Sequence, residues 1–409
     1  MKRLLWTLLA AGLLAIGQGR AAADEPAETP MAKLTTPWTA DVAPDRVHPE
    51  YPRPQMVRQR WINLNGPWDY AVAAKDAQRP NEFEGKLLVP FPIESALSGV
   101  SRRVGEDERL WYRRTFQVPD DWSGQRLVLH FGAVDWDTTV WVNGREVGKH
   151  RGGYDPFQFD ITAALEGTGD QELVVAVWDP TDKGLQPRGK QVTRPGGIYY
   201  TPVTGIWQTV WLEPLPKAHI RSLKIVPDVD RGRAQITVES EGTRAGHQVV
   251  VRVTGLSAGE EKGQVDRLVE TGRPGRPITL AVGAKHLWSP DAPWLYEIEV
   301  TLTEGAALGE TADQVAGYFG MRKASLGQDD KGVTRIFFNN EPLFMFGPLD
   351  QGFWPDGIYT APTDEALRWD IELTRSLGFN MCRKHVKVEP ARWYYWCDRL
   401  GLLVWQDMP

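Results

Sequence analysis

Thr139-Val-Trp-Val142, Asn143-Gly144 and Arg145-Glu-Val147 decide the reading of the first half of the chain. Two short runs of β-favouring residues flank an Asn-Gly pair, which predicts a hairpin closed by a two-residue turn. Working outward, Arg126-Leu-Val-Leu-His-Phe131 lies before it, and Glu172-Leu-Val-Val-Ala-Val-Trp178 and Gly205-Ile-Trp-Gln-Thr-Val-Trp-Leu212 follow. Many short strands separated by Gly and Asp turns predict a β-sandwich of jelly-roll type over residues 60–215.

Pro214 and Pro216 mark a boundary. Beyond them, Ile220 to Pro227, Ala234 to Val238, Gln248 to Val253, Ile278 to Val282 and Tyr296 to Thr303 predict an immunoglobulin-like β-sandwich over 216–323. From 324 the texture changes. Leu343-Phe-Met-Phe346 reads as a short buried strand. Thr363 is placed to cap a helix with Asp364 and Glu365 in its first turn, an apolar face of Leu367, Ile371 and Leu377, and Gly378 at its end. Phe379 to Arg383 reads as a second strand, Pro390 opens a second helix, Gly401 closes it, and Leu402 to Trp405 is a third strand. Strand–helix alternation predicts a parallel sheet or a (β/α) barrel. The fold class is therefore multidomain β plus α/β.

Composition narrows the function. Lys2, Arg3, the apolar run Leu4 to Gly17 and Ala21-Ala22-Ala23 predict a signal peptide over 1–23, with an uncleaved anchor as the alternative. Export to the periplasm or medium follows, with no membrane association after cleavage. Residues 24–59 are polar and Pro-rich and read as a linker and extended arm. Loss of the three leader cations takes the net charge from −6 to −9, and there is no dense basic run, so nucleic acid is not an expected partner. Seven scattered histidines show no metal-ligand spacing, and no cofactor is expected. Cys382 and Cys397 are expected to be buried free thiols, with a disulfide as the alternative. Eighteen Trp favour a carbohydrate ligand, because indole faces stack on the C–H groups of sugar rings, although β-sandwich cores also use Trp.

The motifs in sequence order resemble glycoside hydrolase family 2, which includes β-galactosidases, β-glucuronidases and β-mannosidases. The resemblance rests on Asn65-Gly-Pro-Trp-Asp-Tyr70, Trp111-Tyr-Arg-Arg114, Val140-Trp-Val-Asn-Gly144, Gly152-Gly-Tyr-Asp-Pro-Phe157, Phe159-Asp-Ile-Thr162, Gly205 to Glu213 and Phe319-Gly-Met-Arg322. It continues through Asn380-Met-Cys-Arg383 and Asp398-Arg-Leu-Gly-Leu-Leu-Val-Trp405. Two stretches depart from it. Lys384-His-Val-Lys-Val-Glu-Pro390 stands where the family has a Ser-Ser-His-Tyr-Pro type run, and Gly347 to Gly357 replaces a His-Glu type segment. Trp405-Gln-Asp407 is closer to β-mannosidase-like members.

The resemblance implies that residues 324–409 begin a (β/α)8 TIM barrel of about 250 residues, of which Leu343 to Pro409 supply 67 and three strands. It also implies a retaining mechanism with two glutamates on the fourth and seventh strands. No residue here matches either, so the catalytic pair is expected beyond Pro409 and the chain alone is expected to lack turnover. Asp350 and Asp407 as a substitute pair have nothing to support them. What remains is a substrate-binding wall at the strand ends. Asp350 and Gln351 follow the first strand, Arg383 and His385 the second, and Gln406 and Asp407 the third; Trp354 or Trp405 would stack on a sugar ring. The loop from Trp178 to Asp182, running on to Arg188 and Gln191, lies where the family reaches over its site. The bland alternatives are ion pairs or loop caps for Asp350 and Asp407, a core role for Trp405, and a merely solvated loop. The expected partner is a β-glycoside or an oligo- or polysaccharide, and the sequence leaves oligomerisation open. Two rival functions stand: a non-catalytic carbohydrate-binding protein, and a structural module with no sugar ligand.

Overall fold

The hairpin forms as its turn dictates. Strands Asp137–Val142 and Arg145–Arg151 pair antiparallel, with Asn143 (φ 49) and Gly144 (φ 74) in the left-handed region that a two-residue turn needs. A computed structural model describes residues 34–259, 261–263, 268–283, 286–305 and 309–409. The signal-peptide expectation lies outside the described residues.

The hairpin forms one edge of a six-stranded antiparallel sheet ordered Gly85–Val89, Gly66–Ala74, Glu108–Phe116, Gln171–Trp178, Asp137–Val142, Arg145–Arg151. A four-stranded sheet of Ile62–Asn63, Val210–Leu215, Arg126–Phe131 and Phe157–Asp160 faces it. Period-2 alternation sends Trp68, Tyr112 and Val175 from one sheet and Leu129, Phe131 and Leu212 from the other into a shared core, all fully buried. Each large apolar side chain so buried contributes about 1.5–3 kcal/mol. A second pair of sheets follows. His219–Asp228, Arg233–Glu241 and Ile278–Leu280 form one, and Gln248–Ala258, Leu295–Glu304 and Glu310–Phe319 dominate the other. Ile236, Val251, Ile298 and Val300 fill the space between them.

The last segment is a three-stranded parallel sheet, Leu349–Asp350, Met381–Lys384 and Leu403–Gln406, with helices α1 (Asp364–Ser376) and α2 (Ala391–Leu400) between the strands. The Thr363 hydroxyl accepts from Ala366 N at 3.1 Å, so the expected N-cap is in place. Gly401 closes α2 at φ 79, and a Cβ there would lie 2.2 Å from Pro290 O, so only glycine fits. Leu367, Ile371, Trp393 and both cysteines pack between helices and sheet. Cys382 and Cys397 are buried and free, and burial pushes the Cys382 thiol up to about 12.

Two local expectations fail here. Leu343 to Phe346 is no buried strand, because Phe344 is 82% and Phe346 56% exposed. The Asn380 amide takes the backbone bonds of that run, donating to Phe344 O and accepting from Phe346 N, and ladder pairing begins only at Leu349. Leu377 is exposed because it is the C-cap of α1, six residues past Ile371 and about 120° from it around the helix axis.

The arm does not run free once it can be followed. Arg53 and Arg58 reach Glu213 in the first sandwich, and Arg58 also pairs with Asp313 in the second. Thr36 and Thr39 donate to Asp356 beside α1. Burial alone would raise the Glu213 carboxyl, but Arg53, His130 and the Tyr51 and Trp211 donors hold it down to about 2. His130 is pushed by burial to about 3 and stays neutral near pH 7. These contacts set the sandwiches against the parallel sheet.

Candidate functional site

The parallel register sorts the strand-end residues into two faces. Leu349, Arg383 and Trp405 stand abreast, as do Asp350, Lys384 and Gln406 one position on. Alternation then points the two rows in opposite directions. The first row lies on the open face of the sheet, away from the helices, and Trp405 there is 48% exposed.

On that face Arg383 meets Asp407. Its Nε lies 3.2 and 3.1 Å from the two carboxylate oxygens, and its Nη2 lies 3.0 Å from Oδ2. His385 Nδ1 lies 2.8 Å from the same Oδ2. Hydrogen bonds from Arg383 and then His385 hold the Asp407 carboxyl below the usual range. Trp405 flanks the group, its indole N–H 3.0 Å from Met345 Sδ. A guanidinium, an imidazole, a carboxylate and an indole face are thus gathered at adjacent strand ends.

The second row faces the helices and is mostly buried. Lys384 Nζ bonds Asp350 at 2.6 Å and Glu389 at 2.8 Å, and Lys387 Nζ forms an ion pair with the other Glu389 oxygen at 2.9 Å. Lys387 also donates to Gly352 O at 2.6 Å and Tyr359 O at 2.9 Å. Burial opposes charge on both lysines. Glu389 and Asp350 outweigh it at Lys384, whose ammonium is held well above the ordinary lysine value, whereas burial prevails at Lys387, pushed down to about 8. Gln406 accepts from Tyr394 OH and donates to Lys387 O. Asp350 and Gln406, expected at the sugar wall, therefore bond into the lysine network and do not join Arg383; Asp350, partly exposed, also lines a cleft beside α1 with Gln351 and Trp354.

Val386 lies in the loop just past the second strand. It is β-branched yet sits at φ 47, which a non-glycine residue rarely adopts. Its carbonyl would lie 2.5 Å from a Cβ on Gly189, so the first sandwich's loop approaches it closely. The neighbouring Arg188 donates to Asp182 O at 3.0 Å, and the Asp182 carboxylate accepts from the Thr193 hydroxyl. Burial would raise Asp182, but Thr193 keeps it low. Asp182 and Arg188 thus shape the loop that reaches the strand ends. Gln191 is buried, donates to Asp135 and accepts from Val203 N, so it holds the loop from within.

Gln351 and Trp354 line a separate cleft of about 890 Å³ beside α1, with Trp38, Trp369, Tyr200 and Asp370. Trp354 meets Trp38 edge-on at 6.2 Å, and Tyr200 stacks on Phe353 at 4.1 Å. Burial and then the Asp350 charge push Asp370 up to about 6. Reasoning from sequence missed Asp370, Lys384, Lys387, Glu389 and Tyr394. The signal available for three of them was the density of charge in Lys384-His-Val-Lys-Val-Glu389. Among the described residues no group of acids, histidines and cysteines is placed to hold a metal ion, and no helix is long and apolar enough to cross a membrane.

Known proteins carry the same pattern. The family profile described as "Glycosyl hydrolases family 2, sugar binding domain" matches residues 87–202, and "Glycosyl hydrolases family 2" matches 218–322. A β-galactosidase of Thermoanaerobacter pseudethanolicus is 29% identical over 74% of this chain and 40% of its own length. A β-glucuronidase of Felis catus is 26% identical over 88% of this chain and 58% of its own. A solved β-glucuronidase from Ruminococcus gnavus superposes with a TM-score of 0.70 at 20% identity, over 89% of this chain and 61% of that one. The chain spans about half the length of these relatives.

Proposed function

Because the chain belongs to glycoside hydrolase family 2, we propose that it serves the hydrolysis of β-linked glycosides outside the cytoplasm, with Arg383, His385 and Asp407 binding the sugar. In this reading residues 60–215 are a jelly roll, 216–323 an immunoglobulin-like sandwich, and the three parallel strands the start of a (β/α)8 barrel. The observation that carries the sugar-binding role is the Arg383–His385–Asp407 cluster at adjacent strand ends, the edge where barrel enzymes bind substrate. Its mixed donors and acceptors suit hydroxyl pairs, and the half-exposed Trp405 offers a face for the ring.

The same cluster speaks against turnover by these residues alone. Retaining hydrolysis needs two carboxyl groups about 5 Å apart, one of them able to hold a proton near neutral pH. Asp407 is the one carboxylate in the cluster, and its partners keep it ionised. Calorimetric titration with p-nitrophenyl β-glucuronide, β-galactoside and β-mannoside, alongside a turnover assay, tests the proposal. Binding of at least one glycoside without nitrophenol release is expected, and Arg383→Ala should weaken it by about tenfold or more. Binding that Arg383→Ala leaves unchanged would remove the cluster from the account.

A further inference from the structure

A partly enclosed cavity of about 280 Å³ lies where the first sandwich, the arm and the two helices meet. Trp207, Trp211 and Tyr359 form its aromatic wall, all three buried, and Leu367 of α1 and Val388 add apolar surface. Junctions between domains are a common place for small-molecule sites. An engineered apolar cavity of about 150 Å³ holds one benzene ring, so the volume here suits two fused rings.

Two acceptors in the lining have no donor. His48 Nε2 lies 2.8 Å from Ala361 O, and a carbonyl only accepts, so Nε2 carries the ring proton. Burial lowers the His48 pKa, which keeps the ring neutral and leaves Nδ1 as an acceptor. Glu50 Oε2 is buried and has no hydrogen-bond partner among the described residues. Both residues feel the charges of Asp364 and Arg392, which places them at one end of the cavity. An unpaired buried acceptor costs free energy that a donor carried by a ligand would recover. The other charged groups of the lining are already paired: Arg53 with Glu213, Arg392 with Asp364, and Glu389 with Lys384 and Lys387. That leaves apolar walls and an acceptor end, a setting for a neutral molecule.

We propose that this cavity binds a neutral two-ring aromatic molecule through one N–H or O–H donor, independently of Arg383, His385 and Asp407. Val388 and Glu389 line it, and Glu389 holds Lys384 next to Arg383, so its wall is continuous with the parallel sheet.

The test is calorimetric titration of the 409-residue chain with indole, 1-methylindole and the cationic tryptamine at pH 7. Indole should bind saturably, and 1-methylindole, which keeps the rings and lacks the donor, about fivefold more weakly. Glu50→Ala should bring indole down to that weaker level and leave 1-methylindole within about twofold. Ala391→Trp fills the cavity from the exposed first residue of α2 and should abolish binding of both. Trp405→Ala should leave indole binding within about twofold. If Glu50→Ala does not fold, the indole to 1-methylindole ratio on the unaltered chain decides the matter. The proposal is overturned if indole does not bind, if 1-methylindole binds as well as indole, if only tryptamine binds, or if Ala391→Trp leaves binding intact.

Discussion

Glu94→Gln should stabilise the protein at alkaline pH. Glu94 is buried at 9% exposure with Asp135 and Asp179, each 2% exposed, and no lysine, arginine or histidine forms an ion pair with any of the three among the described residues. Burial comes first among the causes and the Asp179 charge adds to it, pushing Glu94 up from 4.5 to about 8. Between those pH values the folded chain binds a proton that the unfolded chain has released. Stability conferred by the protonated form is therefore full below about 4.5 and is lost as pH rises to about 8. The whole displacement is worth about 5 kcal/mol, and proton sharing among the three acids leaves about 2 kcal/mol or more for one replacement. Glutamine keeps the acceptor for Thr204 N, now 3.0 Å from Oε2, and offers an N–H to the buried, unpaired Thr204 hydroxyl. Urea unfolding of both proteins at pH 5 and pH 8 reads the effect. The variant should lose less stability between the two values by about 2 kcal/mol or more. Parallel pH profiles would refute the buried-acid account.

Two further outcomes concern the parallel sheet. Lys387→Met removes the ion-pair partner of the buried Glu389 carboxylate and the donor to the carbonyls of Gly352 and Tyr359, which should cost about 3–5 kcal/mol in urea unfolding. Thr363→Ala removes the α1 cap and should cost about 1 kcal/mol, with Thr363→Ser restoring most of it.

Elements set by local rules were legible in the sequence. Asn143-Gly144 marked a two-residue turn, Thr363 and Gly401 bounded helices, and short strands between Gly and Asp turns marked a β-sandwich. Pairings of residues far apart were not. Nothing local says that Arg53 and Arg58 of the Pro-rich arm neutralise Glu213, so that stretch read as a linker. The candidate site divides along the same line. Arg383, His385 and Asp407 lie where strand order places them, and the structure brings them together. Asp350 and Gln406 carry the right chemistry at the wrong parity, because one step along a strand reverses the face. Phe344 and Phe346 misled for a related reason: apolar content predicts burial only where a partner face exists, and here the Asn380 side chain takes the place of the ladder.

The central claim is that Arg383, His385 and Asp407 grip a β-glycoside. The His385 imidazole, 2.8 Å from Asp407, reports on it directly in proton–nitrogen NMR spectra, with His385→Gln assigning the signal among the seven histidines. Titration with the p-nitrophenyl β-glycosides should move that resonance saturably for at least one sugar, and the matching α-anomer should leave it in place. A His385 signal that stays fixed while a β-glycoside binds elsewhere on the chain would contradict the account.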